Sequence, residues 1–199
     1  FPGYPFLIAL IGPFIGYLKS MLFVTLSFTI FSAWGFYFLV RDFKLSSQPL
    51  WLSILFLTLP ARWLIVHSVG SAEPVFIFFV TAALYFFLRF ERSPRPLFIL
   101  LTGIFGMMAQ LTRPPGILLF LALIFYIFWN IITQKGIRPL RRTISIIASY
   151  SPLLLIPLML LGVFYLYSIT YHDFFAYFHS GDNIHLTFPP FQVFNKDQF

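Results

Sequence analysis

The chain has 199 residues, 59% of them hydrophobic and only 10% charged, with a mean hydropathy of +0.88. Soluble domains are near half apolar and about a quarter charged, so long apolar blocks at this density exclude a water-soluble globule and predict an all-α, polytopic membrane protein. There is no cysteine, which excludes disulfides, thiolate metal sites and a cysteine nucleophile.

A helical crossing needs roughly 20 apolar residues. Residues 5–16, PFLIALIGPFIG, are too short for one, so the first 19 residues are expected to form an interfacial or re-entrant segment. Six candidate spans follow. They are Ser20–Val40, Pro49–Val66 with Pro60 near its end, Pro74–Leu88, Leu97–Leu111, Ile117–Ile132, and Thr143–Ile169 with Pro152 and Pro157 inside it. Prolines are tolerated within a crossing because neighbouring helices satisfy the freed carbonyls. Residues 171–199 are expected to be an extracytoplasmic loop, so that 1–199 reads as one transmembrane domain. The chain starts on Phe1 without a signal-peptide pattern and reads as an internal piece of a longer protein.

The net charge of +7 is mostly an orientation signal. Loops on one side carry Arg41, Lys44, Arg89, Arg92, Arg95, Lys135, Arg138, Arg141 and Arg142, nine of the thirteen basic residues. The positive-inside rule makes that side cytoplasmic. No nucleic-acid motif accompanies the charge, so no nucleic-acid partner is expected. All four histidines (67, 172, 179 and 185) and four of the six acids (Glu73, Asp173, Asp182 and Asp197) fall on the other side, which places any chemistry there.

Four stretches stand out. The first is LTRPPG, residues 111–116, between two apolar runs. Residues before proline are pushed out of the helical region, so Arg113 and Pro114 should be non-helical and Pro115 can open the next helix. The flanking spans are about 15 residues, or about 23 Å, against a hydrocarbon core of about 30 Å. The turn should therefore be recessed. An arginine there costs about 2–3 kcal/mol at the bilayer centre. It either snorkels to the headgroups or serves a ligand, for which a bidentate phosphate suits the guanidinium fork. The second stretch is SVGSAEPVFIFF, residues 68–79, where Glu73 precedes a helix-opening proline; capping and dipole compensation explain an acid there. The third is FPGYPFL, whose Tyr4 fits an interfacial anchor. The fourth, residues 171–191, combines His172, His179, His185, Asp173 and Asp182 with many aromatics. Its histidine spacings match no metal-ligand pattern, whereas aromatic faces beside acids suit sugars, and an interfacial amphipathic helix suits the same stretch.

Taken in order, these four stretches resemble the PIG-V-type membrane mannosyltransferases of the C-type glycosyltransferase superfamily. FPGYP is similar to the family's F-P-x-Y-P element. PARWLIVHSVGSAEPVFIF is similar to P-x-x-x-F-x-x-x-x-Y-S-E-S-x-F, with Glu73 on the acid. LTRPPG is similar to L-T-R-x-N-G, with Arg113 on the arginine. HDFFAYFH is similar to G-D-P-x-A-F-x-x-A/H, with Asp173 on the acid. The chain departs from the pattern at Ser71-Ala72-Glu73-Pro74, at Pro115 for asparagine and at His172 for glycine.

The resemblance implies a multi-pass enzyme of a prokaryotic plasma membrane or the endoplasmic reticulum, with its site extracytoplasmic or lumenal. It would move a hexose, mannose by analogy, from a polyprenyl- or dolichyl-phosphate donor to a glycan, lipid or protein acceptor. The catalytic aspartate is expected before residue 1, leaving Glu73 and Asp173 as secondary acids. Arg113 would hold the donor phosphate, and Tyr4, Arg62, His179 and Asp182 are the acceptor- or sugar-binding candidates. No cofactor is evident; a divalent metal occurs in parts of the superfamily, but no metal site shows in this chain. A secondary transporter or lipid flippase, and a non-catalytic membrane scaffold on the same fold, are the alternatives.

Overall fold

The computed structural model describes residues 1–58, 69–133 and 147–179, and all regular structure among them is helical. In chain order the helices are α1 (Gly3–Ile15), α2 (Tyr17–Asp42), α3 (Pro49–Thr58), α4 (Glu73–Arg92), α5 (Pro96–Thr112), α6 (Gly116–Thr133), α7 (Leu155–Tyr171) and α8 (Ala176–His179). A 3₁₀ turn, Ser151–Leu154, leads into α7. Proline stands in the first turn of both α4 and α5, where its missing N–H would have no intrahelical partner.

Four segments are long and apolar enough to cross a membrane: Tyr17–Asp42, Glu73–Arg92, Gly116–Thr133 and Ser151–Tyr171. They fit an integral membrane protein, as do the exposed apolar side chains of Phe14, Leu18, Trp51, Leu118, Phe125 and Trp129. The expected count of six divides differently. The fourth expected span forms as α5, but its 17 residues reach only about 26 Å, short of a core of about 30 Å. The second is described only through Thr58 as α3. The expected start of the sixth lies outside the described residues; 147–149 are helical, a turn follows at Tyr150, and the 3₁₀ segment that carries Pro152 leads into α7.

The chain divides into two compact units, Phe1–Leu160 and Leu161–Phe199, with the division inside α7. In the first, α4 and α5 form an antiparallel hairpin and α2 runs parallel to α4. The parallel sense is set by hydrogen bonds at both ends. Ser32 Oγ on α2 donates to the Pro74 carbonyl at 2.9 Å, and the Arg92 guanidinium donates to the Asp42 carbonyl at 2.7 Å. Ser32 also donates to Phe28 O one turn back, so its hydroxyl is satisfied without solvent.

The core of this unit joins Ala83, Phe87 and Phe90 of α4 to Ile99 of α5, Leu119, Leu123 and Ile127 of α6, and Leu153. The four-residue spacing on α6 places its three leucine and isoleucine side chains on one face. Small residues on α5 allow a close approach of the segment before α7: a Cβ at Gly103 would collide with the Pro152 carbonyl. The described part of the second unit is the end of α7, α8 and their connection. Phe164 there packs edge-on against Phe174 and Phe178, with ring centroids 5.4 and 5.9 Å apart.

Candidate functional site

The LTRPPG turn is built as its prolines dictate. Helix α5 stops at Thr112, and Arg113 is extended at φ −149° and ψ 147°. The Gly116 N–H donates to the Arg113 carbonyl at 3.1 Å, closing a tight turn over the two prolines. The next helix opens at Gly116, one residue beyond Pro115. Only glycine fits there, because a Cβ would stand 2.5 Å from Gln110 Cα and 2.7 Å from its nitrogen. The Gln110 side chain is buried in this corner. Its amide nitrogen lies 3.5 Å from the Pro114 carbonyl, and its Oε1 has no partner among the described residues.

The turn delivers Arg113 to Glu73. A guanidinium nitrogen lies 2.5 Å from Glu73 Oε1, and the two side chains are 35% and 24% exposed. That partial burial matters, since a solvated pair of this kind contributes little while a desolvated one is strong. The second carboxylate oxygen accepts the Ser71 hydroxyl, and the Glu73 N–H points back to Ser71 Oγ at 3.3 Å. Glu73 is the first residue of α4, where the positive end of the helix dipole favours a carboxylate. Dipole compensation was expected at this position. Side-chain capping is not what holds the carboxylate, since the N-cap is Ala72 and makes no side-chain bond.

Tyr4 joins the same end of the unit. Its hydroxyl lies 2.9 Å from Thr25 Oγ1 and 3.2 Å from the Met21 carbonyl. The Ser71 N–H donates to Thr25 Oγ1 at 3.1 Å, so Thr25 links the N-terminal helix to the segment that presents Glu73. Gly3 meanwhile seats α1 against the end of α5, with a hypothetical Cβ 2.9 Å from the Leu111 carbonyl carbon. Three of the four singled-out stretches, FPGYP, SAEP and LTRPPG, thus meet although up to 110 residues separate them. Thr25 and Gln110 were not singled out in the sequence, and Ser71 was noted only as part of the stretch around Glu73. Thr25 and Ser32, both on the side of α2 that meets α4, are seven residues apart, and that polar spacing was the available signal.

Asp173 belongs to the second unit, where its carboxylate meets His179 Nδ1 at 2.6 Å and accepts the Phe175 N–H at 2.9 Å. The His179 hydrogen bond holds the Asp173 carboxyl below its ordinary range; desolvation opposes this and the Phe175 N–H assists it. A cavity of about 520 Å³ lies beside the pair, lined also by Tyr167, Tyr171, Ala176 and Tyr177. Tyrosine rings around a carboxylate and an imidazole suit a polyhydroxylated ligand. Arg62 and Asp182 lie outside the described residues, as do His67 and His185. No group of three histidine, aspartate or glutamate side chains gathers among the described residues.

The opposite end of the first unit carries a second polar network. Asp42, which ends α2, accepts the Tyr85 hydroxyl at 2.7 Å, Arg41 Nε at 2.9 Å and an Arg89 guanidinium nitrogen at 3.1 Å. Glu91 accepts the Tyr150 hydroxyl at 2.6 Å. No protein-family model, curated protein or solved structure matches the chain.

Proposed function

We propose that this chain is part of a membrane glycosyltransferase of the PIG-V-like kind, which transfers a hexose from a polyprenyl-phosphate carrier to an acceptor hydroxyl on the non-cytoplasmic side. The observation that supports it is the Arg113–Glu73 pair at 2.5 Å, set in the break between two apolar helices. One guanidinium nitrogen is engaged there. The remaining donors of Arg113 meet no acceptor among the described residues, and they retain the fork geometry that suits a phosphate.

The chemistry follows from that placement. An acceptor hydroxyl loses its proton to a carboxylate base as its oxygen attacks the anomeric carbon. The bond from that carbon to the phosphate oxygen breaks, and the electron pair leaves with the polyprenyl phosphate. Arg113 stabilises the charge that grows on the leaving phosphate. In the resting site Glu73 neutralises Arg113. A donor phosphate competes with Glu73 for the guanidinium, so binding of the donor frees a carboxylate beside the reacting centre. The aromatic cavity of Tyr167, Tyr171 and Tyr177, with Asp173 and His179, is in this reading a sugar-binding cavity of the second unit by itself.

The test is transfer itself. The intact protein in proteoliposomes is given polyprenyl-phosphate mannose labelled in the sugar, together with an extract of glycan, lipid and protein acceptors. Label moving to an acceptor is the expected result. No transfer and no binding of polyprenyl phosphate would overturn the reading and favour the scaffold. Movement of the intact donor across the bilayer without transfer would favour a flippase.

A further inference from the structure

We propose a second lipid site, for a phospholipid with an anionic headgroup, in the groove between α2 and α4 at the end of the unit opposite Arg113. The groove has a volume of about 370 Å³. Its walls are apolar: Phe38 on α2, Phe78 and Phe86 on α4, and Phe105 on α5, with Phe86 and Phe105 stacked at 5.5 Å. Gly35 and Ala82 leave room between them. Both α2 and α4 are long and apolar enough to span a membrane, so this cavity opens where acyl chains run.

The rim has the opposite character. Arg41 and Arg89 line it with Asp42, and their side chains are 48% and 46% exposed. Arg92 stands next to them and donates to the Asp42 and Phe43 carbonyls, so an anion there does not face those carbonyls bare. Three arginines against one aspartate leave a surplus of positive charge. Glu91 does not line this groove; its carboxylate accepts the Tyr150 hydroxyl instead. Arg41 uses Nε on Asp42, and Arg89 uses Nε and one terminal nitrogen on Tyr85 and Asp42, which leaves terminal nitrogens on each for a phosphate.

An aromatic groove of this volume, ending in partly satisfied arginines at the helix ends, matches a lipid that is apolar along its length and anionic at its head. Basic pockets between membrane helices bind such headgroups for this reason. A zwitterionic lipid offers the same chain but no net charge to balance the rim. This site is independent of the glycosyltransferase reading, because neither the sugar nor Arg113 enters it.

The experiment is native mass spectrometry of the intact protein in detergent, titrated with phosphatidylglycerol or with phosphatidylcholine of the same acyl chains. Phosphatidylglycerol should be retained more tightly, by about fivefold for each arginine that meets the headgroup. Arg89→Gln keeps hydrogen bonding to Asp42 but loses the charge, and should remove about that factor. Gly35→Leu fills the slot, where a Cβ meets nothing nearer than Thr81 Cγ2 at 3.5 Å, and should weaken both lipids together. Equal retention of the two lipids by the unaltered protein would overturn the proposal. So would an unchanged preference in Arg89→Gln, or unchanged retention in Gly35→Leu. The first comparison needs no variant, so it decides the matter even if a variant misfolds.

Discussion

The two ends of the Phe1–Leu160 unit are each organised around one carboxylate, and the carboxylates are served differently. At one end Asp42 accepts three donors, from Tyr85, Arg41 and Arg89, and the arginines sit in the last turns of α2 and α4, where cations also offset the helix dipole. At the other end Glu73 has one cation and one hydroxyl, and the cation comes from an extended turn rather than from a helix. The first carboxylate is held by three groups, two of which the packing of α2 on α4 brings to it. The second is held by a partner that can let go. The Asp42 network ties α2 to α4 through three side chains around one carboxylate, whereas the Glu73 pair rests on one cation from an extended turn beside a break in the helices.

Arg113 offers the largest test of this contrast. Arg113→Ala should lower sugar transfer by about 10²–10³ in the intact protein, the usual result of deleting a charge-assisted contact to a developing anion. Arg113→Lys should recover part of the rate, because it keeps the charge but loses the fork. Glu73→Gln should bind polyprenyl phosphate at least as tightly as the unaltered protein, because the competing carboxylate is gone. Parallel lipid-binding and transfer assays check all three. If Arg113→Ala and Arg113→Lys both transfer normally at equal expression, the Arg113–Glu73 pair only holds the helices together and does not serve the donor phosphate.

Asp42→Ala should give the converse result: normal transfer and lower stability. It strips the acceptor from Tyr85, Arg41 and Arg89, at a cost of about 1–2 kcal/mol given that both arginines are half exposed. A thermal melt in detergent should show a Tm lower by a few degrees. Unchanged Tm would mean that Asp42 does not clamp α2 to α4.

Tyr4→Phe tests how tightly α1 is tied to the Glu73 end. Loss of the hydroxyl that reaches Thr25 and Met21 should cost about 0.5–1.5 kcal/mol, read as a smaller shift of the same melt. The pairing of Glu73 with Arg113 should survive, because the Ser71 N–H keeps its own bond to Thr25.

The smallest effect concerns the Asp173–His179 pair of the second unit. A carboxyl held below its ordinary value stabilises the fold above the unfolded-state value. That contribution is lost as pH falls through the depressed folded value. The turn from Asp173 to His179 should therefore be intact at neutral pH and loosen only in acid, below the ordinary carboxylate range. The Phe175 amide resonance, followed by NMR in micelles, should report one acid transition that Asp173→Asn removes.

Much of this was legible one residue at a time. Pro74 announced the start of α4, and the pre-proline rule placed Arg113 out of the helix, because both are local steric constraints. The number of crossings was less legible. An apolar run such as Leu97–Leu111 has the composition of a span, yet its helix has 17 residues, at the short end of what a crossing needs. The role of Glu73 could not be read locally either, since an acid at a helix start is explained by the dipole without any partner.

The sequence alone therefore determined that the chain is helical and lipid-compatible, that a helix opens at Pro74, and that Arg113 would stand in an irregular turn. These follow from hydropathy and from backbone sterics within a few residues. Only the tertiary structure decided that Arg113 would meet Glu73, that Tyr4 would reach Thr25 beside Ser71, and that Asp42 would collect three donors. Apart from the neighbouring Arg41, those contacts join residues 21 to 47 apart, and they exist because α2, α4 and α5 pack in one particular register.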